Sequence, residues 1–392
     1  MTVVGPSDEL SPAVGSVAAV PTSRESVLAY RQRRQHLGRR LPVARLAEVA
    51  ADCCGLRNSP PGSADAALAA RLTGRSAEAV AGTVADSSLV EVFGPRLVPT
   101  LVRPEDVALL TVGTMPADER ALAETVGPQA AKDLKAAGIG LADAVRQLTE
   151  AAEDELAAGP LPLGELSAAM TRRLPEAMSS WCPRCGSRHV REALFRVPGD
   201  AGVYRLEPRS GRQVWFALLD QPLRPDSDDA EPLRLELVRR FLRGYAPATP
   251  ADFAGWTGTG PTEARRRWAA LAGELADVGG ASALAEDVPR LGRARLPEGV
   301  RLLPPGDPYL LARDRATVAP DPAVRALLWP SLAAPGAVLA DGELVAAWRA
   351  RKKAARSRSR WRRSVGGHRP YSPRSSRRPP DWPRTGPAPP PP

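Results

Sequence analysis

Two thiols and an imidazole stand close together in Cys182-Pro183-Arg184-Cys185-Gly186-Ser187-Arg188-His189, at spacings suited to zinc. Structural zinc is commonly held tetrahedrally by four ligands, and no fourth lies nearby. Cys53, Cys54 and His36 are distant in sequence. The reading preferred from the sequence is therefore a knuckle-like turn without metal. No cofactor is expected, zinc on Cys182, Cys185 and His189 is the alternative, and purified protein should hold it substoichiometrically. A redox role finds no other support in the chain. A second group, Arg265-Arg266-Arg267-Trp268, offers a basic helix face that could meet DNA phosphates. The competing reading is a solvated face with Trp268 in the core. Reaction chemistry is otherwise sparse: there is no Gly-rich phosphate loop, no His-Glu metalloprotease pair and no Ser nucleophile elbow. With three His in the chain, a general base would have to be a carboxylate or an amide-oriented water.

Helices and short strands must position these groups. Residues 24–115 read as a helix over 25–37, a helix over 41–54 opened by Pro42 and stopped by Gly55, a helix over 64–72, and a fourth starting at Ser76. The period then changes across residues 89–102 around Gly94-Pro95, which outlines a hairpin. Helices followed by one hairpin describe a winged helix. A second such outline spans residues 116–221, with helices at 141–156, 163–174 and 190–195 and strands at 203–206 and 214–218. It contains the Cys182 stretch. After an acidic, Pro-rich linker at 222–232, a third outline covers 233–295. There an amphipathic helix ends at Tyr245, Thr249 caps a short helix opened by Pro250, and Gly258-Thr259-Gly260 turns into a helix from Pro261 to about 275. The fold class expected is mainly α with small β wings (α+β), arranged as tandem winged-helix domains. Residues 296–350 add a small β-containing region, with strands at 300–303, 338–339 and 344–348 and a turn at Asp341-Gly342.

The ends differ in character. Residues 1–23 have no period and read as a disordered leader. They also lack the basic start and apolar run of a signal peptide, and no stretch of 18 apolar residues occurs, so a cytoplasmic protein with reduced thiols and no membrane contact is expected. The net charge of +10 is concentrated at the other end. Residues 351–392 carry 13 Arg and Lys against Asp381 alone, which leaves residues 1–350 at −2. DNA binding by the body must therefore come from focused patches. From Ala354 onward the chain is Arg, Ser and Pro with Val365 as its one larger aliphatic residue, so a disordered tail is expected. Its composition fits either a basic arm or the product of a shifted reading frame in GC-rich DNA. With no strand expected beyond it, the strand at 344–348 should have an open edge.

Three runs carry a resemblance. Residues 40–106, the run from Leu237 to Phe253 (LVRRFLRGYAPATPADF) and the run from Arg301 to Leu311 (RLLPPGDPYLL) resemble the AlkZ-like winged-helix DNA-binding family, over roughly residues 24–352. The resemblance implies tandem winged helices around a DNA channel. In characterised members it implies a monofunctional DNA glycosylase that unhooks alkylated purines, interstrand crosslinks included. The family's catalytic Gln-x-Gln or Gln-x-Asp follows a Gly-Leu pair. Here Gly55-Leu56 is followed by Arg57-Asn58-Ser59. Arg57 binds phosphate but cannot act as a base, and Ser59 holds water weakly. The family's Arg-Gly-Thr-Leu-His run places Arg96 on its Arg and Thr100 on its His, which makes Arg96 and Thr100 candidate DNA contacts.

Three readings follow. The first is a DNA-binding protein for double-stranded DNA, alkylated or crosslinked, whose glycosylase chemistry is lost or weakened. The second is an active glycosylase for bulky alkylated purines that uses a substituted water-positioning set. The third is a winged-helix module that binds protein, from which steep salt dependence of DNA binding separates the other two.

Overall fold

The computed structural model describes residues 22–74, 88–117, 119–208, 213–220, 229–353 and 356–363. The leader to residue 21, the helix expected at Ser76, residues 222–228 of the linker and the tail from 364 lie outside the described residues. In residues 24–115 the helices are α1 (Arg24–Arg34), α2 (Leu46–Asp52), α3 (Ser63–Arg71) and α4 (Val107–Leu110). The strands are β1 (Leu41–Pro42), β2 (Leu56–Arg57), β3 (Leu72–Thr73), β4 (Val90–Gly94) and β5 (Val98–Val102). Ser23 caps α1 by accepting from the Ser26 amide. The helix expected from residue 41 starts later, because Leu41 and Pro42 are extended and pair with Leu72 and Thr73. Gly55 is needed where it stands. Its φ is +83°, and a Cβ there would lie 2.6 Å from the Thr100 methyl.

The next stretch contains α5 (Glu119–Val126), α6 (Pro128–Ala136), α7 (Leu141–Leu156), β6 (Leu161–Pro162), α8 (Leu163–Arg173), β7 (Ser179–Cys182), β8 (Ser187–Val190), α9 (Glu192–Asp200), β9 (Tyr204–Leu206) and β10 (Trp215–Leu218). Val190, expected to start a helix, instead ends β8 opposite Ser179. The first hairpin does not stand alone: one six-stranded sheet runs β2-β5-β4-β9-β10-β6, with Glu91 opposite Leu206. Phe93 of β4 meets Tyr204 edge-on with ring centroids 6.2 Å apart and lies in the core of the second stretch.

The third stretch holds α10 (Ala230–Tyr245), α11 (Pro250–Thr257), α12 (Pro261–Ala270), β11 (Leu275–Val278), β12 (Ala281–Leu284) and α13 (Val288–Arg293). Thr249 and Asp252 satisfy each other's amides in a reciprocal capping box, and Gly258 at φ +88° ends α11. The helix from Pro261 is shorter than expected, since Leu275 already belongs to β11. Phe241, Tyr245, Phe253 and Trp256 stack around the α10–α11 contact, with Phe241 and Tyr245 centroids 5.0 Å apart.

The last sheet runs in chain order: β13 (Val300–Leu303), β14 (Gly336–Ala340), β15 (Glu343–Lys353) and β16 (Arg356–Arg363), with α14 (Arg315–Val318) and α15 (Pro322–Leu328) between the first two. Strand β16 corrects the expectation of disorder from residue 354, and it covers the edge of β15 that was expected to be open. Main-chain pairing needs no aliphatic side chain, so a composition unable to build a core can still extend a sheet. The described chain is mainly α with small sheets, and no described helix is long and apolar enough to cross a membrane.

Buried arginines tie these parts together. Arg71 of α3 and Asp307 are both fully buried and joined by two 2.8 Å hydrogen bonds. Arg31 of α1 reaches Asp314 at 2.9 Å and the carbonyls of Ala246 and Pro247.

Candidate functional site

Strand β2 lies against β5 so that Arg57 is directly opposite Thr100. The two positions that the resemblance brings together are therefore neighbours. Their exposures differ. Thr100 is 2% exposed, donates its hydroxyl to the Val98 carbonyl at 2.8 Å and fills the space above Gly55. That burial removes it from the candidate DNA contacts; its small side chain sets the distance between β2, β4 and β5. Asn58 is occupied in holding the turn, since its amide donates to Glu91 at 3.0 Å and its carbonyl oxygen accepts from the Gly62 amide at 2.8 Å. Ser59 is exposed, with its carbonyl beside Gly306.

Arg57 is half-buried and has no carboxylate partner among the described residues. Burial, and then the neighbouring charge of Arg96, lower its pKa. Arg96 sits at the β4–β5 tip with φ +64°, donates to the Gly255 carbonyl at 3.2 Å and packs against Gly258. Arg313, which sequence reasoning missed, completes the group. Its pKa falls to about 10, first through burial and then through the charges of Arg96, Arg315 and Arg57. Its Nε is buried with no hydrogen-bond partner. Asp314, next in sequence, is committed to Arg31, and Arg315 stacks over Trp329 at 5.2 Å. A cluster of guanidinium groups, half-buried at Arg57 and Arg313 and exposed at Arg96, with no ion pair among the described residues, is therefore assembled from β2, the first hairpin and the segment after Leu311. Such a group binds anions: planar donors in this number match phosphate oxygens. The sequence signal for Arg313 was slight, because Asp314 makes Arg313-Asp314-Arg315 look self-neutralising.

Next to Arg96 is a cavity of about 200 Å³ lined also by Thr114, Glu124, Asp200, Thr257 and Thr259. The Thr259 hydroxyl is buried there without a partner. The Thr114 hydroxyl donates to the Thr111 carbonyl at 2.8 Å and lies 2.5 Å from Asp200 Oδ1. Burial pushes the Asp200 pKa up to about 7, against the opposing pull of Thr114 and Arg267.

The basic stretch on α12 separates into three environments. Arg265 is exposed. Arg266 is held by Glu231 and Glu263 at 2.6 and 2.8 Å. Arg267 is fully buried, bound to Glu263 at 2.7 Å and to the carbonyls of Gly113 and Met115. It is a structural latch rather than a phosphate contact, because α12 turns that face toward the segment after α4. Trp268 is core, as the competing reading expected, with Nε1 donating to Ser282. Cys182, Cys185 and His189 do come together: their ligand atoms all lie within 4.8 Å of one another. Cys53 and Cys54 are buried elsewhere, and His36 pairs with Asp52 at 2.8 Å.

A family model described as DNA glycosylase AlkZ-like matches residues 21–367. Among solved structures, the Streptomyces sahachiroi DNA glycosylase AlkZ is similar over 84% of this chain and 88% of its own, at 24% identity and a TM-score of 0.66. No curated protein sequence matches the chain.

Proposed function

The chain belongs to the AlkZ-like DNA glycosylase family, and from that premise we propose that it binds duplex DNA, alkylated or crosslinked, through tandem winged helices while excising bases weakly or not at all. One observation supports this reading: Arg57, which the resemblance puts at the family's first catalytic Gln, lies near Arg96 and Arg313 with no ion pair among the described residues. Glycosidic cleavage develops positive charge on the sugar. A guanidinium roughly 6 Å away, at an effective dielectric of about 20, opposes that charge by about 3 kcal/mol. The same cluster is well made to seat a backbone phosphate. Incubation with alkylated and crosslinked duplexes, scored for binding and for abasic-site formation, tests both halves: tight, salt-sensitive binding with little strand scission after alkali is expected. Arg313→Ala should lower the slope of log affinity against log salt by roughly 1. Salt-insensitive or absent binding would support the protein-binding module instead.

A second reading is favoured by Asp200. Burial raises its pKa to about 7 beside the cavity next to Arg96, the range suited to activating a water. Robust excision by the unsubstituted protein, abolished by Asp200→Asn and untouched by Ser59→Ala, would establish it.

A further inference from the structure

The β7–β8 hairpin has no part in the site above. Its two strands pair with Trp181 opposite Arg188 and Cys182 opposite Ser187. Between them the Cys182 carbonyl accepts from the amides of Cys185 at 3.2 Å and Gly186 at 2.9 Å, and Gly186 takes φ +62°. This tight turn folds both thiols to one side. Strand β8 then returns His189 to the same side. His189 Nδ1 lies 2.9 Å from the Val190 carbonyl, an acceptor only, so Nδ1 carries the proton and Nε2 keeps its lone pair. A backbone carbonyl on the second ring nitrogen is the usual support of a metal-bound imidazole.

From this geometry we infer that Cys182, Cys185 and His189 form a zinc site in which the chain supplies three ligands and a water takes the fourth, solvent-facing position. The missing fourth ligand made the sequence alone point away from metal. Zinc sites with three protein ligands and a water are nonetheless a stable class, Cys2His sets among them. Tetrahedral zinc with Zn–S near 2.3 Å needs its sulfurs about 3.8 Å apart. Ligand atoms already within 4.8 Å close that gap by side-chain rotation. Binding of Zn²⁺ releases the two thiol protons to solvent, while the imidazole binds neutral; no oxidant or reductant is involved. Cys185 is exposed, which leaves the fourth vertex open to solvent. The bound ion would cross-link the hairpin that displays Trp181, itself 59% exposed.

The test uses the full chain, purified under reductant, loaded with Zn²⁺ or Co²⁺ and dialysed. One metal per chain by elemental analysis is expected, with a thiolate-to-cobalt charge-transfer band and tetrahedral ligand-field intensity in the unsubstituted protein. Cys182→Ser and Cys185→Ser should each abolish the band, and His189→Ala should weaken binding at least tenfold. His36→Gln, which disrupts the His36, Glu48 and Asp52 group, should leave it unchanged. Less than about a tenth of a metal per chain, cobalt lacking thiolate character, or loss on His36→Gln with retention on Cys185→Ser would overturn the inference. Because cobalt spectra are read on the unsubstituted protein, a variant that fails to fold does not spare it.

Discussion

Arg57 and Asp200 pose opposite electrostatic problems within reach of the same Arg96. Arg57 is a cation with no ion pair among the described residues; Asp200 is an acid whose pKa burial pushes up to about 7. Restoring Gln at positions 57 and 59 removes one cation and supplies water-orienting amides. We expect abasic-site formation to rise by 10² or more if weak chemistry is due to this pair, with duplex affinity falling modestly; alkaline scission of alkylated DNA measures it. For Asp200 the folded pKa lies above the unfolded value of 3.8, so the folded state holds the proton more tightly. Its contribution to stability is full below about pH 4 and is lost as pH rises through about 7. Asp200→Asn keeps an acceptor for the Thr114 hydroxyl and cannot ionise, so denaturation curves for this variant should lose that decline between pH 4 and 7. Arg57 and Arg96 were legible in the sequence, through their spacing in the resemblance. Arg313 and Asp200 were not, since clustering and burial arise only when segments far apart in sequence meet. Arg267 misled for the same reason: a basic run on a helix does not say which of its faces is covered.

At the level of elements, local signals read well where the backbone enforces them. Thr249-Pro250 with Asp252 fixed the start of α11, and α7 spans the same residues, Leu141–Leu156, that its apolar period marks out. Pro42 was misread because Pro tolerates both a first helical turn and an extended strand, and only the distant Leu72–Thr73 selects the strand. Joints between elements were invisible, being made by buried charges. Asp307, within one of the runs that carry the family resemblance, joins its segment to α3 through Arg71. Asp307→Ala would strand a buried guanidinium and should cost about 3–5 kcal/mol, whereas Glu150→Ala, at the exposed pair with Arg146, should leave the unfolding midpoint nearly unchanged. Chemical denaturation of the two variants separates these outcomes.

Across the whole molecule, charge and topology are distributed differently from what composition alone conveys. The body sums to −2, yet it holds a cluster of arginines with no ion pair among the described residues, while the net positive charge lies after residue 350. A chain ending at Lys353 should therefore retain DNA affinity at low salt, with a shallower salt slope than the full chain. Loss of all measurable binding would assign recognition to the carboxyl-terminal residues. That chain would also bare the edge of β15, so faster aggregation is expected in light scattering.

The sheet that unites the first hairpin with β9 sets a timetable for biosynthesis. Glu91 finds its partner Leu206 only after about 115 further residues have been made, which at roughly 5–20 residues per second takes several seconds or more on the ribosome. Until then β4 is an unpaired edge carrying Phe93, whose aromatic neighbours Tyr204 and Phe216 do not yet exist. Chains truncated before residue 204 are therefore expected to expose this edge and to sediment as aggregates more readily than chains that reach residue 218.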